Sequence, residues 1–382
     1  MGSTRRILFI QGFEAVDFDL ANSLLRWRRL FVELQYIYQR KRNMIRKRVF
    51  ACLLAVVLTL VMLAVLSRLV MPKYVGESRE GSLIGEYYRA ASAGETHDVI
   101  FIGDCEAYSS FSPPVLWEDY RLRSFVRGSP SQSIAQSYHI LCETLEYEIP
   151  RVVVLSVYAL CHEEMPSEAY NRMTLDSMRP SLHKARAVRD SIREGESELS
   201  YFLPLLRFHS RWSELDSEDF KYFFASPGVS YNGYVLRREI EPFATDISKS
   251  ELAPHALPKE NFEYLDKIRQ VCADSGITLL LVKAPTDSWR YPWYAEWSSE
   301  IRDYADENCL EYYDLTECVD EIGIDPERDS YDGGLHLNFY GAEKTTRFFG
   351  DILRGYVSEG DFDGKDEEIW EEKLVRYYEE RN

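Results

Sequence analysis

Cysteine and histidine are scarce in this 382-residue chain, with seven of each. No Cys-x-x-Cys pair occurs, and no Cys/His group has zinc-site spacing, so neither a disulfide framework nor a metal cluster is indicated. Phosphate-cradling motifs are missing too. There is no P-loop, no Gly-x-Gly-x-x-Gly after a strand and no His-Glu-x-x-His, which leaves nucleotide binding and metalloprotease chemistry without a basis. An excess of positive charge is also lacking: 45 Lys/Arg stand against 63 Asp/Glu, a net of -18. An acidic body repels nucleic-acid phosphates, so no nucleic-acid partner is expected. Disorder is excluded by 45% hydrophobic and 14% aromatic content.

The charge is unevenly placed. Residues 1–48 hold 11 Lys/Arg against 4 Asp/Glu, a net of +7, which leaves -25 for the remainder of a chain totalling -18. The uncharged run from Val49 to Leu66, continued to Met71, makes residues 49–71 a transmembrane helix of bilayer length, with Arg68 able to snorkel. Arg46, Lys47 and Arg48 precede it and acidic residues dominate after it. The positive-inside rule then makes 1–48 a cytoplasmic basic segment and puts everything after Pro72 outside the cell membrane. No small-x-small cleavage pattern follows, so an uncleaved single-pass anchor touching lipid is expected rather than a signal peptide. In residues 1–43, arginines interrupt apolar patches without a helical stripe. Met44-Ile45-Arg46 reads as the true start, with the upstream part misassigned; the rival is an interfacial amphipathic segment. Peptides from upstream of Met44 in the purified protein would refute that start.

Residues 72–95 read as a linker and a first helix ending near Gly94. From 96 to 358 apolar runs alternate with helical patterns. Strands are expected over 98–102, 124–128, 152–155, 278–282 and 310–315. Helices are expected over 115–120 (opened by Ser112-Pro113-Pro114), 131–147, 261–274, 294–307 and 340–357. Five strands alternating with helices imply an α/β fold with a parallel sheet covered on both faces. Residues 159–258 break the rhythm with aromatic, Ser- and Glu-rich helical stretches, read as a cap inserted between the third and fourth strands. Residues 359–382 are acidic and expected to dock as a helix through Ile369, Trp370, Leu374 and Tyr378.

Strand 98–102 runs into Gly103-Asp104-Cys105-Glu106, which places a small nucleophile at the C-terminal end of a buried parallel strand, where open α/β sheets carry their chemistry. Tyr331-Asp332-Gly333-Gly334-Leu335-His336-Leu337-Asn338 supplies an acid and an imidazole on a glycine-rich loop. His336 is the candidate base for Cys105, and Asp332 the group that orients it. Backbone N–H groups of Cys105 and Gly128 are candidates for an oxyanion hole. The plainer readings are a small buried hydrophobe for Cys105 and a loop histidine for His336. Lys283 and Arg290 lie at the same sheet edge as candidate ligands for an anionic substrate group, against the alternative of ordinary surface cations. Ser109 and Ser110, beyond the strand end, are weaker nucleophile candidates. The aromatics of the cap suit either sugar stacking or a core.

The Ile102-Gly103-Asp104-Cys105 block, the Gly128 after the second strand and the Asp332/His336 pair before the last helix resemble SGNH/GDSL hydrolases. The nearest branch is the membrane-anchored set that includes the D-alanyl transfer protein of teichoic acid operons and alginate-acetylating proteins. The resemblance covers about residues 96–358 apart from the cap. It implies a flavodoxin-like three-layer sandwich, with Cys105 in the place of the family's serine nucleophile, Gly128 as the second-block glycine, and Asp332 and His336 completing a triad. It implies cofactor-free hydrolysis or transfer of acyl esters, here on a cell-envelope glycan or acylated polymer. Three departures stand out: cysteine replaces serine, Asp332 and His336 are four apart instead of three, and the Gly-x-Asn-Asp block is absent. Gln132 is the candidate to replace that block's oxyanion donor. The alternative is a catalytically degenerate envelope protein that binds a glycan or a membrane-bound acyltransferase.

Overall fold

The computed structural model describes residues 8–73, 81–161, 166–224, 228, 230–244, 257–287, 293–357 and 364–382. The chain divides into two units, Met1–Leu66 and Ser67–Asn382. In the second, Val-, Ile- and Leu-rich runs form β1 (Val99–Gly103), β3 (Val152–Ser156) and β4 (Thr278–Lys283), and the more mixed segments β2 (Ser124–Gly128) and β5 (Glu311–Asp314) carry Phe125, Val126 and the Tyr312-Tyr313 pair. All pair in parallel in the order β2-β1-β3-β4-β5. That is the order of a flavodoxin-like doubly wound sheet. β1, β2 and β3 are buried along their whole length, as runs covered on both faces must be.

Period-two alternation splits each strand between two cores. Ile100, Ile102, Val153, Leu155, Leu279 and Leu281 face one, packed on helices Ile134–Thr144, Lys259–Asp274 and Tyr294–Glu307. Val99, Phe101, Val152, Val154, Leu280 and Val282 face the other, against Phe349 and Leu353 of helix Phe339–Leu353. The expected α/β three-layer sandwich is therefore present. One helix start is corrected. Ser133, not Ser131, caps the helix expected over 131–147, because Ser133 and Gln136 form a capping box while Ser131 takes φ 51°.

The insertion between β3 and β4 is only partly a helical cap. Its described helices run from Glu168–Leu175 to Ser217–Phe224, and Leu182–Ser191 packs on Ile134–Thr144. Residues 230–244 instead form a strap whose backbone bonds to β2, to Tyr108 and to the 326–339 segment. Val126 N–H donates to the Asn232 carbonyl, Val235 N–H to Tyr108, Glu241 N–H to Ser330 and Ala244 N–H to Gly333. The strap covers the free edge of β2, whose unpaired amides would otherwise invite another strand. Gly233 permits that approach, since a Cβ there would lie 1.8 Å from the Val126 carbonyl oxygen.

The C-terminal helix Gly364–Arg381 docks through Trp370 and Tyr377, while Ile369 and Leu374 are only partly buried. Trp370 stacks on Trp117 at 5.5 Å, but the second fully buried anchor is Tyr377, whose hydroxyl donates to Glu343 at 2.8 Å. Tyr378, the expected anchor, is only partly buried.

Helix Leu8–Val70 carries the first unit, with no Gly or Pro from Phe13 to Met71 to interrupt it. The helix predicted from residue 49 therefore starts far upstream. It is long and apolar enough to cross a membrane, and its apolar side chains, such as Leu53 and Leu60, are exposed.

Candidate active site

The site is built at the C-terminal end of β1. Gly103 is required there by close packing: a Cβ would lie 2.5 Å from Cβ of Ser156 on β3. Asp104 then caps the short helix Cys105–Ser110, its carboxylate accepting the Glu106 N–H at 3.1 Å. Cys105 is the first residue of that helix, so its own N–H has no intrahelical acceptor. Gly128, at the end of β2, lies against the Gly103 and Asp104 carbonyls, where a Cβ would come to 3.2 Å from each. Gly128, paired with Gly103 across β1 and β2, thus lies against the turn that leads into Cys105.

The opposing side comes from the loop before helix Phe339–Leu353. Asn338 anchors it from a fully buried position. Its side-chain oxygen accepts the Tyr340 and Gly341 N–H groups, and its amide donates to the carbonyls of Glu239, Arg328 and Ser330. Gly333 and Gly334, at φ 78° and 103°, turn the chain where a side chain would be strained. Asp332 accepts the His336 backbone N–H at 2.8 Å and its Nδ1 at 2.5 Å. The four-residue spacing is what lets one carboxylate hold both groups. Tyr331 stacks on the imidazole at 5.6 Å, with the rings 12° apart.

With Nδ1 committed to Asp332, Nε2 is the nitrogen left for Cys105, and the thiol and imidazole are near enough to shift each other's titration. Burial pushes the Cys105 thiol up, opposed by His336 and reinforced by the Asp104 carboxylate. Burial pulls His336 down, but Cys105 and the Asp332 hydrogen bond outweigh it, so the imidazole is held well above its ordinary value. The resting pair combines a reluctant thiol with an unusually strong base. His336 and Asp332 remain 20% and 27% exposed, which leaves the pair reachable from solvent.

Glu106 does not confront the thiol as an isolated anion. It is buried, and its Oε1 accepts from Lys283 Nζ at 2.6 Å and from Thr286 at 2.9 Å. Lys283 is fully buried, and its other bonds go to the Ala284 carbonyl and Thr286, both at 3.0 Å. The expectation that Lys283 binds substrate is therefore corrected: its three protons are committed inside the fold, where it compensates Glu106 and ties helix Cys105–Ser110 to β4.

Gln132 is corrected on the same ground. It is fully buried, its amide donates to the Arg127 carbonyl and Ser137, and its oxygen accepts from Ser129. It holds the turn after β2 and presents no donor to the site. Arg290 lies outside the described residues. Ser109 is buried and donates to the Cys105 carbonyl at 2.7 Å, and Ser110 is buried behind it, so neither competes as nucleophile. Sequence reasoning missed the Glu106–Lys283–Thr286 cluster and the Tyr331 stack. An acid beside the nucleophile and a lysine ending a buried strand were the available signal for the first. Among the described residues, no group of three or more His, Cys, Asp or Glu side chains is placed to hold a metal ion.

No protein-family model matches the chain, and no curated protein sequence matches it. Among solved structures, a GDSL-like lipase from Bacteroides thetaiotaomicron VPI-5482 is similar at 11% identity, over 72% of this chain and 100% of that chain, with a TM-score of 0.33.

Proposed function

We propose that this chain is a membrane-anchored, extracytoplasmic esterase or O-acyltransferase of the SGNH/GDSL kind, acting on acyl esters of a cell-envelope glycan or polymer. The observation that carries the reading is the Cys105–His336–Asp332 relay at the C-terminal edge of a parallel sheet. Sγ of Cys105 attacks the ester carbonyl while His336 takes the thiol proton. The Cys105 and Gly128 N–H groups stabilise the oxyanion that forms. As it collapses, His336 returns the proton to the departing alkoxide, leaving an acyl thioester on Cys105. Water then completes hydrolysis, or an acceptor hydroxyl completes transfer, with His336 again removing the proton. The apolar helix and the Arg46-Lys47-Arg48 cluster before it support anchoring in the cell membrane with the main domain outside.

Turnover of acetyl- or alanyl-ester probes by the full chain tests the reading. Its pH dependence has a definite sign. The relay is competent only after losing one proton, so kcat/KM rises with pH, and because His336 is held above 6.5 the midpoint lies above 6.5. Asp332→Asn removes a carboxylate that holds the imidazole up. It should lower kcat/KM and move the midpoint down; a midpoint that stays in place or rises contradicts the assigned role. A second reading is favoured by the upward push on the thiol from burial and Asp104. On that reading the cleft binds a glycan or a membrane acyltransferase without catalysis, and no ester is turned over.

A further inference from the structure

Beside the exit of the apolar helix, the insertion exposes apolar side chains among the described residues. Leu199 is 62% exposed, Leu206 48%, Trp212 61%, Phe220 50% and Phe224 82%. Monomeric domains rarely leave such a run of large apolar groups open to water without a partner. What identifies the partner here is the attachment of the same segment to residues 67–73. Leu205 N–H donates to Ser67 Oγ, and Arg211 donates to the Val70 and Met71 carbonyls. Lys73 pairs with Asp216 and Asp219, and the Arg68 guanidinium lies 5.4 Å from the Phe223 ring centroid. Arg68 and Lys73 are the first charged positions after the uncharged span, so a helix that crosses the bilayer would bring residues 205–223 to the level of the headgroups.

We infer that residues 199–224 form a lipid-embedded collar, in which Leu199, Leu206, Trp212, Phe220 and Phe224 enter the headgroup–acyl boundary around the helix exit. The inference rests on the membrane-anchoring reading and extends it from one helix to a surface of the folded domain. Tryptophan and phenylalanine suit that boundary because their rings are apolar while their edges tolerate water. The four short helical pieces from Glu198–Phe202 to Ser217–Phe224 would lie along the membrane plane instead of crossing it.

The test reconstitutes the full chain in phosphatidylcholine vesicles with and without acyl-chain bromines, which quench only nearby indoles. Wild type should lose a component of emission that the Trp212→Phe variant lacks, and Phe220→Ser/Phe224→Ser should reduce that loss without freeing the chain from the vesicles. Retention under alkaline carbonate reads the anchoring separately. Extraction by carbonate overturns the anchoring reading. An integral chain whose Trp212 emission ignores the bromines overturns the collar alone, and assigns the exposed surface to a protein contact.

Discussion

Cys105→Ala should reduce ester turnover by about 10³-fold or more, the scale seen when a triad nucleophile is removed. The substitution deletes one sulfur from a half-buried position at a helix start, so the fold should persist and the loss reports chemistry. Cys105→Ser separates the roles further. A serine hydroxyl is harder to deprotonate than a thiol, but it is the group the resembled family uses, and His336 is a strong base held by Asp332. The serine variant should therefore retain measurable turnover, whereas His336→Ala should not. Mass spectrometry of wild type quenched during turnover should find the acyl group on the peptide that contains Cys105. Turnover undiminished in Cys105→Ala sinks the mechanism.

The largest stability effect is expected from Lys283→Met. Breaking a buried ion pair by removing one partner leaves an uncompensated charge and costs about 3–5 kcal/mol. Burial already pushes the Glu106 carboxyl up and Lys283 opposes that rise, so loss of the ammonium forces Glu106 toward its protonated form. A fall in the melting midpoint of the full chain on the order of 10 °C is expected for a domain of this size. Adding Glu106→Gln should recover part of that fall, because an uncharged amide is cheaper to bury than an unpaired carboxylate. If Lys283→Met melts with wild type, or the double variant is no better than the single, the pair does not tie the nucleophile's helix to β4.

Much of the molecule was legible from residue order. The five strands were, because Val, Ile and Leu runs bounded by Gly and Pro are local signals and parallel strands buried on both faces admit little else. The placement of Cys105 just past a strand end, and of Asp332 and His336 together on the loop before a helix, was legible too, since those are positions that sequence marks directly. The two misassigned side chains fail for one reason. Lys283 and Gln132 stand at the right edge of the sheet, yet position along the chain says nothing about which way a side chain turns or what it meets. Lys283 meets Glu106, 177 residues away in sequence.

The same limit explains the strap and the C-terminal anchor. Residues 230–244 have no strand or helix periodicity, and their backbone bonds go to loops from every part of the domain. Only the closed fold supplies those acceptors. Sequence alone thus determined the sheet, the long apolar helix and the chemical types gathered at the strand ends, all consequences of local pattern and burial. Tertiary structure decided which of those groups face one another. It turned Glu106 inward to a buried lysine and left the thiol with the imidazole, because desolvated charges must find partners and only packing decides which are within reach.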